Sequence, residues 1–146
     1  MNDQTIEQEI QDKGLNAPRV TPYEVEAEIT GQFFFTGGEG IAGAMSEFSH
    51  TGNAAQSRCG AECAKSLDLI TFCVLRLRNG FTVTGESACA SPENFDAEIG
   101  RKIARQNAVA KIWPLLGFRL RDQLARPVLT DADAAADLAG TPRPSA

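Results

Sequence analysis

The period of the apolar positions changes several times along the chain, and each change marks an element. Ile6 and Ile10 lie four apart in a polar stretch, which predicts a helix over Asp3 to Lys13 that stops at Gly14. In VTPYEVEAEITG, Thr21 is placed as an N-cap, Pro22 as the first helical residue and Glu24 as the third member of a capping box. Val20 and Val25 occupy the two positions of a hydrophobic staple, and this second helix is predicted to run to about Thr30 and stop at Gly31. QFFFT, Gln32 to Thr36, reads as a short aromatic strand. LDLITFCVLRLRNGFTVTGESACA then carries two runs rich in β-branched and aromatic residues around Asn79-Gly80, the preferred pair for a two-residue type I′ hairpin. That turn sets Arg78 opposite Phe81, Arg76 opposite Val83 and Val74 opposite Gly85. A glycine at 85 inside a strand signals a bulge or a close backbone approach.

In SPENFDAEIGRKIARQNAVAKIW, Ser91 is read as an N-cap and Pro92 as the first residue of a long helix that Pro114 ends. At about 100° per residue, Phe95, Ile99, Ile103, Val109, Ala110 and Trp113 share one stripe, read as the core face. LLGFRLRDQLA follows as a short helix or strand. The fold class is therefore α+β: an antiparallel sheet built on the central Asn-Gly hairpin, packed with N-terminal helices and a long C-terminal helix. Residues 1–126 are expected to form a single domain in which 37–66 is an irregular Gly-rich loop, with 127–146, rich in Ala, Asp and Pro, as a flexible tail.

Composition narrows the function classes. The formal net charge of -5 argues against a protein that coats a nucleic-acid polymer, because such binding rests on many Lys and Arg contacts to phosphate. It leaves room for a local basic pocket. The start of the chain is polar and acidic, and no window approaches the roughly 18 apolar residues of a membrane span, so the expectation is a soluble intracellular protein.

Several motifs carry ordinary readings. GEGIAG, Gly38 to Gly43, matches GxGxxG, but no long helix and parallel crossover are expected after it, so a flexible loop is the better reading. His50, the only histidine, sits in a polar stretch with nothing to bring a nucleophile and a carboxylate to it. Cys59 and Cys63 have CxxxC spacing, which matches no strong zinc pattern; no metal, cofactor or catalytic group is expected. Glu24, Glu26 and Glu28 read as a solvated helix face.

Arg101 and Arg105 are more specific. They fall outside the apolar stripe, one helical turn apart, beside Gly100 and small alanines. Two guanidinium groups so placed can grip phosphate oxygens bidentately. Pairing of Arg101 with Glu98, three residues earlier, is the ordinary alternative, and residue chemistry leaves both open. Asn94 and Asn107 can supply amide contacts to a base or ribose, or cap and solvate the helix. Phe81, beside the turn, can stack on a base or pack across the hairpin.

The run Asn79 to Trp113, NGFTVTGESACASPENFDAEIGRKIARQNAVAKIW, resembles a family of small proteins encoded by tailed phages and prophages. NAPRVTP, Asn16 to Pro22, resembles the N-terminal signature of the same family. The resemblance spans about residues 5 to 125 apart from Gly37 to Ser66, which is longer and richer in Gly and Cys than the family pattern. That family is in turn similar to the Thoeris anti-defence sponges, which sequester cyclic ADP-ribose signals, and in some cases cyclic trinucleotides, without cleaving them. The resemblance implies a non-enzymatic, self-associating protein, dimer or hexamer, of the host cytoplasm. It implies that Arg101 and Arg105 meet phosphates, that Asn94, Phe95 and Asn107 lie near ribose or base, and that Arg19 contributes across a dimer. The rival reading is a phage early protein that acts by binding a host protein.

Overall fold

The computed structural model describes residues 2–51, 65–126 and 129–144. Helices α1 (Asp3–Asp12) and α2 (Pro22–Glu28) lead into strand β1 (Ile29–Thr36) and helix α3 (Gly37–Thr51). Strands β2 (Ile70–Leu77) and β3 (Thr82–Ala88) follow, then a 3-10 turn at Pro92–Asn94 and helices α4 (Ala97–Ala110), α5 (Ile112–Ala125) and α6 (Asp131–Ala139). The sheet order is β1-β2-β3, antiparallel throughout, so the α+β class read from the sequence holds.

Local chemistry sets the N-terminal elements much as the pattern predicts. Thr21 and Glu24 form the capping box, the Thr21 N–H donating to the Glu24 carboxylate at 2.8 Å. α2 is shorter than expected, however. It ends at Glu28, whose carbonyl accepts the Arg78 N–H at 2.8 Å, and the β-prone ITGQFFFT is extended from Ile29 onward. Gly31 lies within the strand, beside a bulge.

The hairpin differs from the predicted one by one residue. Asn79 keeps a negative φ, which excludes type I′, while Gly80 is left-handed at φ +88°. The Gly80 N–H donates to the Leu77 carbonyl and the Leu77 N–H to the Phe81 carbonyl, closing a three-residue loop, Arg78 to Gly80. The Asn79 side chain accepts the Phe81 N–H at 3.0 Å, an interaction open to Asn without a left-handed backbone. Leu75 therefore faces Val83 and Cys73 faces Gly85. A one-residue slip exchanges the two faces: Thr71, Cys73, Leu75 and Leu77 go inside, and Arg76 and Arg78 come out.

α4 also departs from its predicted form. Ser91-Pro92 opens only the 3-10 turn, and the helix proper starts at Ala97, capped by Asp96, which accepts the Ile99 N–H at 2.9 Å. The predicted core stripe is not the buried one. Ile99 and Ile103 are 56% and 41% exposed, whereas Gly100, Ala104 and Ala108 are buried, in line with Ile112 and Leu116 of α5. The reason lies across the interface. A Cβ added to Gly85 would sit 2.1 Å from the Ala104 carbonyl oxygen and 2.3 Å from the Ala108 nitrogen. The helix backbone rests directly on β3, and only small side chains permit that approach. Val109 and Trp113 keep part of their assigned role, packing half-buried on the edge of the core.

Pro114 breaks the helix earlier than predicted. It has no N–H for the Ala110 carbonyl and its ring crowds that group, so α4 ends at Ala110 and α5 restarts at Ile112 with Pro114 in its first turn. The stretch read as an irregular Gly-rich loop is helical over Gly37–Thr51, and the stretch read as a flexible tail contains a helix over Asp131–Ala139. Thr36 and Glu39 form a capping box, with the Thr36 N–H donating to the Glu39 carboxylate at 2.8 Å, and this starts α3 across GEGIAG. Thr130 and Asp133 do the same for α6, which ends at a left-handed Gly140. Cys59 and Cys63 lie outside the described residues; Cys73 is buried and Cys89 half-buried, both as free thiols.

Gly85→Ala is expected to cost about 3 kcal/mol or more in urea denaturation, since the clash is with helix backbone that no rotamer change relieves. Gly117→Ala, in α5 with open space around the added carbon, is expected to stabilise by about 1 kcal/mol in the same assay.

Candidate functional site

A cleft of about 510 Å³ opens where helices α1, α2 and α4 meet the start of α5. Asn2, Asp3 and Gln4 at the start of α1 form one wall, and Pro22, Val25 and Glu26 of α2 another. Arg105, Gln106, Val109 and Ala110 of α4 and Trp113 of α5 complete it. An adjoining hollow of about 270 Å³ shares Asp3, Pro22 and Trp113 and is lined further by Ile6, Ile10 and Val20. Trp113 thus stands at the junction of two spaces bordered by α1. The position of α1 is fixed by Arg19, whose two terminal nitrogens donate to the Glu7 carboxylate at 2.5 and 2.6 Å. The guanidinium of Arg19, helped by the Gln11 amide, pulls the Glu7 carboxyl down to about 2.

Arg105 is the oriented cation of the cleft. Its Nη1 and Nη2 donate to the two Glu26 oxygens at 3.0 and 2.7 Å, and its Nε donates to Gln32 Oε1 at 2.6 Å. This ion pair lowers the Glu26 pKa and raises that of Arg105. Three of the five N–H donors of the guanidinium are engaged, which leaves two to face a ligand. The pair as a whole is neutral, so it suits polar edges such as hydroxyls and ring nitrogens. An anion must compete with Glu26 for the same nitrogens.

The other sequence-derived candidates are distributed over several places. Arg101 is exposed on α4, and Glu98 pairs with Lys102 at 2.7 Å instead of with Arg101. Asn94 and Phe95 line a separate hollow of about 140 Å³ with Cys89, Ile99 and Gly100. Asn107 donates from Nδ2 to the Glu86 carbonyl at 2.8 Å, on β3. Phe81 is 55% exposed and borders a third hollow, about 170 Å³, with Glu28 and Arg119. Arg19 serves Glu7. The three carboxylates read as a solvated face each have a partner: Glu24 caps α2, Glu26 holds Arg105, and Glu28, nearly buried, binds Arg119 at 2.6 Å. Sequence reasoning missed Glu26, Gln106 and Trp113 as cleft residues. The Arg105–Val109–Trp113 spacing of four was a legible signal for one wall, but the pattern also fits a core stripe.

A family model, described as the phage protein (N4 Gp49/phage Sf6 gene 66) family, matches residues 20–124. The chain belongs to that phage protein family. The matched span takes in Glu26, Gln32, Arg105 and Trp113 and leaves α1, with Glu7, outside it. No curated protein and no solved structure matches the chain. Among the described residues, no helix is long and apolar enough to cross a membrane.

The Glu7–Arg19 pair gives α1 a defined pH response. Because the carboxyl titrates at about 2 when paired and near 4.5 when free, docking is fully supported above about pH 4.5. That support falls away as the pH drops through about 2. Trp113, the only tryptophan, reports it: its emission is expected to shift over this acid range in the wild type and to lose that transition in Glu7→Gln.

Proposed function

We propose that this phage protein binds a cyclic nucleotide signal of the cyclic ADP-ribose class, or a cyclic oligonucleotide, in the Arg105–Trp113 cleft and holds it without chemical change. The observation that carries this reading is the clamped Arg105, presented with two unused donors in a cleft that also holds an indole. The volume, about 510 Å³, falls within the range of small-molecule sites. Val25, Val109, Ala110 and Trp113 offer an apolar wall for a base, and Asn2, Gln4 and Gln106 offer amides for ribose hydroxyls. A phosphate takes the place of Glu26 on Arg105, whose orientation is kept by Gln32. Arg101, one turn earlier on α4, adds the second positive charge at a neighbouring position. The likeness of Asn79–Trp113 to a tailed-phage family, itself similar to the sponge-type proteins, supports the same reading, with the host cytoplasm as the place of action.

Calorimetric titration with cyclic ADP-ribose isomers and cyclic trinucleotides tests this reading. Binding is expected for at least one of them, with the ligand recovered intact after denaturation of the protein. Arg105→Lys is expected to weaken it by about tenfold or more, since a lysine keeps the charge and loses the fork. Glu26→Gln is expected to tighten it severalfold, because the competing carboxylate is gone. Absence of heat with every ligand sinks the proposal; a chemically altered ligand replaces sequestration with catalysis.

A further inference from the structure

The two edges of the sheet are treated differently. At the two ends of the β2–β3 hairpin, Leu77 and Phe81 share a hydrogen bond, and so do Leu69 and Cys89. Hydrogen-bonded pairs alternate along an antiparallel ladder, so the odd-numbered residues of β3 bond to β2. The even-numbered ones point their N–H and C=O groups off the edge. Two of those carbonyls, in the middle of the strand, are covered: Lys111 Nζ donates to Thr84 and Asn107 Nδ2 to Glu86. On the other side, Phe33 and Phe35 pair with Val74 and Phe72, which directs the backbone groups of Gln32, Phe34 and Thr36 outward. The Thr36 N–H is taken by Glu39. Among the described residues, no hydrogen bond covers the outward backbone groups of Gln32 and Phe34.

We propose that this open edge of β1 pairs with β1 of a second copy, antiparallel about a two-fold axis at Phe33, to form a closed dimer. The strand ITGQFFFT has no charge and no proline, the usual defences of an exposed edge, so self-pairing sets no like charges opposite one another. Head-to-tail pairing of β1 with β3 is blocked by Lys111 and Asn107, which leaves the two-fold arrangement. The Glu39 cap at one end and the bulge at Ile29/Gly31 at the other limit the pairable window, and its midpoint is Phe33. In that register each Gln32 exchanges a reciprocal pair of hydrogen bonds with Phe34 of the other copy. Phe33, 59% exposed, meets its own equivalent, and Phe35 lies opposite Gly31. The stacked Phe35–Phe72 pair, with centroids 5.5 Å apart, continues as an aromatic band across both copies.

Sedimentation velocity at micromolar concentration is the test. The wild type is expected at a multiple of 15.6 kDa built from pairs. Phe33→Lys and Phe33→Glu alone are each expected to lower the mass, and an equal mixture of the two to restore it. If either variant does not fold, Phe33→Cys serves: oxidation is expected to give a 33-to-33 intermolecular disulfide in mass mapping, since Cα atoms at such a pair lie about 4.5 Å apart. A wild type that sediments at single-chain mass overturns the proposal. So do Phe33→Lys and Phe33→Glu variants that keep the wild-type mass, or a folded Phe33→Cys without that disulfide.

Discussion

Gly85 lies so close to the backbone of α4 that one added carbon would enter the space of the Ala104 carbonyl and the Ala108 nitrogen. The rest of the molecule is arranged around that approach. A helix seated this low needs small residues along its contact line, and Gly100, Ala104 and Ala108 provide them at every fourth position. The same line continues across the break at Lys111 into Ile112 and Leu116, where the sheet no longer demands a close seat and large side chains fill the core. Arg105 and Val109 are then carried on the β1-side flank of the helix, and Asn107 and Lys111 on the β3-side flank. The position of every candidate binding group on α4 follows from which residues must face Gly85.

The sequence made some of this legible and hid the rest for physical reasons. Capping chemistry is local, so Thr21-Pro22-x-Glu24 located α2 correctly, and Gly85 was readable as a site of close approach. The hairpin register was not. Asn-Gly supports either a two-residue or a three-residue turn, and the choice rests on whether Asn79 adopts a positive φ. The buried face of α4 is hidden in the sequence because Ile99 and Ile103 are apolar and large, and helical spacing lines them up as a core stripe. A small-residue line becomes the buried face only when a glycine stands opposite it, a fact of tertiary structure. The helical segments after Thr36 and Thr130 were each announced by a capping box, but their Gly- and Ala-rich composition masked it.

Charge pairing was the least legible layer. Arg105 and Glu26 are 79 positions apart, Arg119 and Glu28 are 91 apart, and no periodicity links them. Local spacing instead suggested Glu98 with Arg101, yet Glu98 lies one turn from Lys102 and pairs there. As a result, the two arginines that sequence reasoning treated as a matched pair have different characters. Arg105 is oriented by its ion pair with Glu26; Arg101 is exposed and, among the described residues, has no ion pair.

The narrowness of the sheet explains why a single helix shapes both of its sides. Three strands about 4.8 Å apart span roughly the width of one α-helix with its side chains. α4 therefore reaches past β3 on one flank and towards β1 on the other. On the β3 side its groups, the Lys111 ammonium and the Asn107 amide, end on the Thr84 and Glu86 backbone carbonyls. On the β1 side the Arg105 guanidinium stops at the Gln32 side chain and turns to Glu26, because α2 supplies a carboxylate there that outcompetes a neutral backbone carbonyl. Glu26 thus has two structural consequences from one interaction. It aims Arg105 at the cleft, and it draws that guanidinium away from the β1 backbone, so that among the described residues no side chain of α4 covers the edge beside it.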